Sequence, residues 1–191
     1  MPIWANCAWG SWHCQKFRQG GKCDVCSHMR PTDHIYSYHF KTKIKIRGHL
    51  AHDYAPPGRI RWYIYAIEDM PCELTYIGST QSPVARFSSH KSSANSGKSK
   101  ATGLAKHFMK GCPHDPGRQK ETLNFVLVDH MDTTVEKLAA VGHVGGVSCV
   151  CSECHKLKVL EDKFILRIGS LYSQGLNTRD EIQRKTRGGG F

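Results

Sequence analysis

The sequence predicts a mixed α/β domain in which a small antiparallel three-stranded sheet is flanked by helices, and three observations carry that expectation. Two runs rich in β-branched and aromatic residues, Arg61 to Ile67 and Leu74 to Gly78, are separated by a turn near Asp69 to Pro71 and read as a hairpin. A third run, Leu123 to Val128, adds a strand. Leu157, Leu160, Phe164, Ile168 and Leu171 recur at three- and four-residue steps, so a late helix lays one apolar stripe on that sheet.

Taken in order, the chain starts with a stretch from Cys7 to His28 crowded with Trp, Gly, Cys and His, too irregular to fold without a staple. Lys43 to Arg47 alternates as a strand with one basic face, and Pro56-Pro57-Gly58 then breaks the chain. That break divides residues 1–57 from a second unit, 58–184, with a Cys/His-rich insertion at about 143–155 and a flexible tail at 185–191. After the hairpin, Ser82 caps a helix with Pro83 in its first turn, and Arg86 and His90, four apart, share a face of it. Lys91 to Lys100 is a Ser-, Lys- and Gly-rich flexible loop. Asp132 caps a short helix from Thr133 to Leu138, and Gly175 suits the end of the last helix.

Composition narrows the function classes. With 27 Lys plus Arg against 16 Asp plus Glu the net charge is +11, which favours a polyanionic partner over an acidic small molecule. No run of eighteen apolar residues is present and the first twenty residues lack the pattern of a secretory signal, so no membrane span and an intracellular chain are expected. Nine cysteines, an odd count, with twelve histidines and CxxC spacing favour metal ligation over a disulfide framework in a reducing compartment.

One constellation carries chemistry. Tyr63-Ile64-Tyr65 is followed by Tyr76-Ile77-Gly78, then by Arg86, His90, Glu161 and Gly175-Leu176-Asn177. Tyr65 to Tyr76 is eleven residues, Tyr76 to Arg86 ten and Arg86 to His90 four. In order and spacing this resembles the GIY-YIG nucleases over roughly residues 61 to 180, departing where Tyr63 replaces the first glycine of the name motif, a change that bears on strand geometry more than on chemistry.

The resemblance implies a metal-dependent DNA endonuclease that hydrolyses phosphodiester bonds, with Tyr65, Tyr76, Arg86, His90, Glu161 and Asn177 as the site. Such cleavage needs an activated water, neutralisation of the phosphate and a stabilised leaving oxygen. Glu161 would hold a catalytic Mg²⁺ or Mn²⁺, a hard cation that keeps most of its waters and uses one or two carboxylates. Arg86 offers a fixed fork of donors to phosphate oxygens, and His90 can bond a tyrosine or relay a proton. Tyr76 is slightly favoured over Tyr65 as the base, and Asn177 is expected to support the site. Each residue has a plainer role on its own, as hairpin packing, solvated helix face or, for Glu161, a pair with Lys158. Their joint order favours the nuclease.

Three cysteine and histidine groups are candidates for structural Zn²⁺, which wants four such ligands. The front group is Cys7, Cys14, Cys23 and Cys26, with His28 as a possible member. The middle group is Cys72, His107, Cys112 and His114, and the late group is Cys149, Cys151, Cys154 and His155, with His143 as an alternative fourth ligand. The placement of these groups also resembles the endonuclease of Penelope-like retroelements. There Cys72 matches the second of two hairpin cysteines, Asp69 stands in the place of the first, and His107, Cys112 and His114 match the histidine segment loosely.

That likeness implies a nick in target DNA that primes reverse transcription, a reverse transcriptase on the same or another chain, and a nuclear site of action. Residues 1–57 would be a zinc-stabilised DNA-gripping region, and Lys91, Lys98 and Lys100 would meet the phosphate backbone. The rival expectations are a zinc-dependent nucleic-acid-binding module without catalysis and a zinc-bearing protein that docks partner proteins.

Overall fold

The computed structural model describes residues 26, 28–29, 32–46, 58–96, 103–109, 123–144, 149, 151–171 and 175–178. Strands β1 (His34–Ser37) and β2 (Thr42–Lys45) form a small antiparallel hairpin. Strands β3 (Arg59–Asp69), β4 (Leu74–Thr80) and β5 (Leu123–Thr134) form the expected three-stranded antiparallel sheet, in the order β4-β3-β5. The helices are α1 (Pro83–Ser96), α2 (Gly103–Met109), α3 (Val135–Ala140) and α4 (Ser152–Ile168). None among the described residues is long and apolar enough to cross a membrane.

Strand β3 reads as a nearly continuous apolar run because the sheet is covered on both faces. Successive side chains of a strand point to opposite sides. Tyr63, Tyr65 and Ile67 therefore enter one cluster with Tyr76, Phe87 of α1, Leu104 of α2 and Phe125. Ile64 and Ala66 enter the other, with Ile77, Val126, and Phe164, Ile165 and Ile168 of α4. The β1–β2 hairpin adds Ile35, Ile44 and Ile46 to that second cluster, so residues 34–46 share a core with the sheet. Cys26 and Met29 pack against the first cluster, and Met29 makes an isolated bridge to Phe125.

Three expected boundaries move. Helix α1 continues through Ser96, so Lys91 lies on a helix and not in a loop. Phe87 and His90, both buried, anchor the first two turns, and the Ser- and Lys-rich turn after them extends a helix already nucleated. Strand β5 runs on to Thr134 because it follows the long β3 to its start, with Arg59 opposite Thr134. Asp132 therefore caps no helix. It receives two hydrogen bonds from Arg61, 2.6 and 2.8 Å, across the ladder, while the Thr134 hydroxyl accepts from Lys137 N at 3.2 Å as the true N-cap of α3. Helix α4 ends at Gly169 in the left-handed region, φ 69°, and not at Gly175. This leaves Glu161 mid-helix and Asn177 in the segment beyond it.

The end of α4 is where the hairpin is fastened. Ser37 Oγ donates to the Ile168 carbonyl at 2.7 Å, taking one of the acceptors that a helix terminus leaves open. His39 packs so closely over Gly169 that a Cβ there would lie 2.8 Å from its ring. Gly169→Ala meets both the left-handed backbone and this contact, so it is expected to lower stability by about 1–2 kcal/mol. Chemical denaturation of the two proteins measures the difference, and equal midpoints would contradict this account of the helix end.

Candidate active site

The tyrosine face of the sheet collects polar groups in an otherwise apolar layer. Tyr65 is fully buried, stacked on Phe125 with centroids 5.1 Å apart, and its hydroxyl must find partners without water. Two come from α1, where the four-residue step of Arg86 and His90 brings both onto the sheet. Arg86 Nε donates to Tyr65 Oη at 3.0 Å, and Tyr65 Oη lies 2.7 Å from His90 Nε2. A guanidinium can only donate, so Tyr65 accepts from Arg86 and passes its own proton toward His90, whose Nε2 is then the acceptor of a neutral ring.

The electrostatics agree with that polarity. Burial pushes the His90 imidazole down to about 3, helped by the nearby Arg86 charge. Burial likewise pushes the Tyr65 phenol well above its ordinary value despite Arg86, and the negative charge of Glu161 raises it further. For Arg86, burial works against the charge, but Tyr65 and Tyr76, both hydrogen-bonded to it, hold it firmly cationic. Tyr76 closes the group, its ring edge-on to His90 at 5.1 Å.

Gly78 explains itself here. It lies opposite Tyr65 in the β3–β4 ladder, and a Cβ on it would sit 2.5 Å from the Tyr65 hydroxyl and 3.0 Å from the Tyr76 ring. The last residue of Tyr76-Ile77-Gly78 is thus a space requirement imposed by the two tyrosines. Tyr63, where the resemblance leads one to expect glycine, is buried and pairs regularly with Thr80 and His130, so its side chain joins the core without breaking the strand. The register shift comes one step later, between Ile64 and Tyr65.

Glu161 approaches from the opposite face, on α4. Ser79, paired with Ile64, points to that side of β4 and donates to Glu161 Oε2 at 2.5 Å. Lys158 Nζ lies 3.2 Å from the other carboxylate oxygen and 2.9 Å from Asp162 Oδ1. The carboxylate is mostly buried and held at the edge strand, one residue beyond Gly78. In the sequence Ser79 carries no motif; its signal is a polar side chain on the α4-facing register of β4.

Asn177 holds the edge strand itself. Its side chain accepts from Ile77 N at 2.8 Å and donates to Ile77 O at 2.7 Å, satisfying the peptide between Tyr76 and Gly78 as a further strand would. Ser170 Oγ donates to the same amide oxygen at 2.8 Å, and Asn177 N donates to Ser170 O at 2.7 Å.

Residues 61–136 match the family model of the GIY-YIG catalytic domain. No curated protein and no solved structure gives a significant match to the chain. The GIY-YIG match supports a nuclease acting on DNA, and it takes in Tyr65, Tyr76, Arg86 and His90. Glu161 and Asn177 lie beyond the matched segment of the GIY-YIG domain, and geometry alone brings them to it.

The cysteine and histidine groups divide differently. In the late group the fourth member is His143 and not His155: Cys149, Cys151 and Cys154 converge on the His143 ring, while His155 is exposed on the first turn of α4. Backbone N–H groups of Cys151 and Val144 lower the Cys149 thiol to about 6, and burial raises Cys154 to about 12. In the middle group His107 Nε2 lies 3.2 Å from Asp69 Oδ2 with Cys72 beside them, so Asp69 joins the group from the place of the first hairpin cysteine. Cys72 is disulfide-bonded in this structure, which withholds its sulfur from an ion there. Cys112 and His114, Cys7, Cys14 and Cys23 of the front group, and Lys98 and Lys100 lie outside the described residues. Lys91 Nζ lies 3.3 Å from His28 Nε2 and over the Phe87 ring.

Two outcomes follow from the buried polar groups. The folded state holds His90 below its ordinary value of 6.5, so between that pH and about 3 the unfolded chain binds more protons. Its stabilising contribution is present above pH 6.5 and is lost as pH falls, and His90→Gln should remove that part of the acid sensitivity. Melting curves of both proteins across this range test it, since carboxylates titrate in each and drop out of the difference. Asn177→Ala orphans a buried peptide group of Ile77 on each side, and is expected to cost about 1–3 kcal/mol per group left unsatisfied. An unchanged denaturation midpoint would remove Asn177 as the clamp on β4.

Proposed function

We propose that this chain is a metal-dependent DNA endonuclease that hydrolyses a phosphodiester bond to leave a nick. The observation that carries the reading is the convergence of both tyrosine hydroxyls on the single guanidinium of Arg86, with the Glu161 carboxylate held by Ser79 at the same edge strand. A cation held by aromatic hydroxyls beside a lone carboxylate suits a phosphate in transit better than it suits a structural core, where burying such groups is costly.

The residues fit a divalent ion. Glu161 presents one carboxylate oxygen to Ser79 and the other to Lys158, an arrangement in which a hydrated Mg²⁺ or Mn²⁺ would displace the ammonium. When bound, the ion supplies Lewis-acid stabilisation of the phosphate charge. Arg86 meets a non-bridging phosphate oxygen through donors that Tyr65 does not occupy. Tyr65, its proton committed to His90 and its phenol raised by burial, positions Arg86 and does not act as the base. Tyr76, hydrogen-bonded to the Arg86 cation, gives its own proton to solvent, and the phenolate that the cation favours then accepts the proton of the attacking water and returns to the neutral phenol. Asn177 keeps β4, and with it Tyr76, in place.

The net charge of +11 supplies a sequence-independent grip on DNA, in which Lys91, Lys98 and Lys100 take part. The likeness of the cysteine and histidine placement to Penelope-like retroelements supports a target nick that primes reverse transcription, with a reverse transcriptase on this or another chain and action in the nucleus. Structural Zn²⁺ accompanies the catalytic ion, and the middle group would take one only with Cys72 reduced.

Glu161→Gln separates catalysis from binding, because the amide still accepts from Ser79 while the charge is gone. Plasmid nicking with Mg²⁺ should fall by about 10²-fold or more, and DNA affinity without divalent metal should hold. Full nicking by the folded variant would sink the mechanism. A wild-type protein that binds DNA but nicks with no divalent metal would put the non-catalytic binding module in its place.

A further inference from the structure

The late cysteines surround a single nitrogen. His143 Nδ1 lies 3.3 Å from Cys149 Sγ, 3.5 Å from Cys151 Sγ and 3.4 Å from Cys154 Sγ, and the four ligand atoms all lie within 4.8 Å of one another. One ring nitrogen has either one proton or one lone pair, so it cannot satisfy three thiols by hydrogen bonding. The distances have another meaning. In a tetrahedral site with Zn–S of about 2.3 Å and Zn–N of about 2.0–2.1 Å, the nitrogen-to-sulfur edge is about 3.5 Å. The three nitrogen-to-sulfur distances already match that edge.

The surroundings hold them there. His143 follows α3, its N–H donating to Leu138 O at 2.9 Å, and its ring packs at 5.7 Å on Trp62 of β3, itself buried. Cys151 is the N-cap residue of α4 and makes no side-chain capping bond, leaving its sulfur for another use. Cys154 stands in the first turn of the same helix. A second tie crosses the same gap, since the buried Glu153 carboxylate receives Lys137 of α3 at 3.4 Å and Lys156 at 2.8 Å.

We propose that His143, Cys149, Cys151 and Cys154 form a structural Zn²⁺ site that pins the start of α4 to the turn after α3. Its consequence lies along the helix. Glu161 is seven residues after Cys154, two turns on and roughly 10 Å along the axis, so an ion at the helix start fixes the register in which Glu161 meets Ser79. That consequence rests on the nuclease reading above; the ligand set does not.

The test is metal content of the full-length chain by mass spectrometry, with Co²⁺ exchange to report tetrahedral thiolate ligation. His143→Ala and Cys151→Ser should each lose one zinc equivalent per chain relative to wild type, whatever other ions the chain holds, and His155→Ala should lose none. His143→Cys keeps four donors and should restore both the ion and the melting temperature, which separates ligand loss from misfolding. Zinc retained in full by His143→Ala, lost by His155→Ala, or absent from wild type with no tetrahedral Co²⁺ spectrum would overturn the site. One zinc equivalent lost by His143→Ala from a wild-type protein that nicks no DNA would uphold the site and overturn the nuclease reading alone.

Discussion

A tyrosine hydroxyl sealed inside an apolar layer organises this structure. Tyr65 is stacked against Phe125 and closed off from solvent, so its hydroxyl has to be satisfied from within. Arg86 and His90 meet that need from one helix, and in doing so they set how α1 lies on the sheet. The same chain of donors fixes the protonation of each member. Arg86 stays cationic, Tyr65 keeps its proton, and His90 is an acceptor.

Space and polarity then propagate to the edge of the sheet. Because the Tyr65 ring lies over the neighbouring strand, that strand carries glycine at 78, and the strand is an edge that needs partners for its peptides. Asn177 supplies them at Ile77, and Leu176 N adds a hydrogen bond to Thr75 O at 3.0 Å. The segment after α4 is thereby tied to the strand bearing Tyr76, while α4 itself brings Glu161 to Ser79. The site is assembled from both faces of a three-stranded sheet, beside the glycine of its edge strand.

How much of this was legible from residues alone follows from the range of each interaction. The hairpin, the third strand and the apolar stripe of the late helix are local patterns, and each appeared where the spacing placed it except Leu171, which lies past the end of α4 and bridges to Asn177. The tails of elements did not. Lys91 sits on a helix because Phe87 and His90 had already anchored the turns before it, and Asp132 lies in a strand because Arg61 is opposite. A capping signal looks the same whether or not a partner strand claims the residue. The choice between His143 and His155 was likewise open in the sequence, since both are within reach of the cysteines by count.

By itself the sequence determined the chemistry available: two tyrosines in neighbouring strands, an Arg and a His one helical turn apart, a carboxylate on an amphipathic helix, and cysteines crowded before it. Periodicity is a one-dimensional property and survives without the fold. Tertiary structure alone decided which of these meet. Glu161 reaches the site only because α4 packs on the face opposite the tyrosines, and Ser79 and Asn177 acquire roles only at an edge strand. His143 becomes the fourth corner of the cysteine group because packing on Trp62 turns its ring toward the sulfurs, whereas His155, on the first turn of α4, is left facing water.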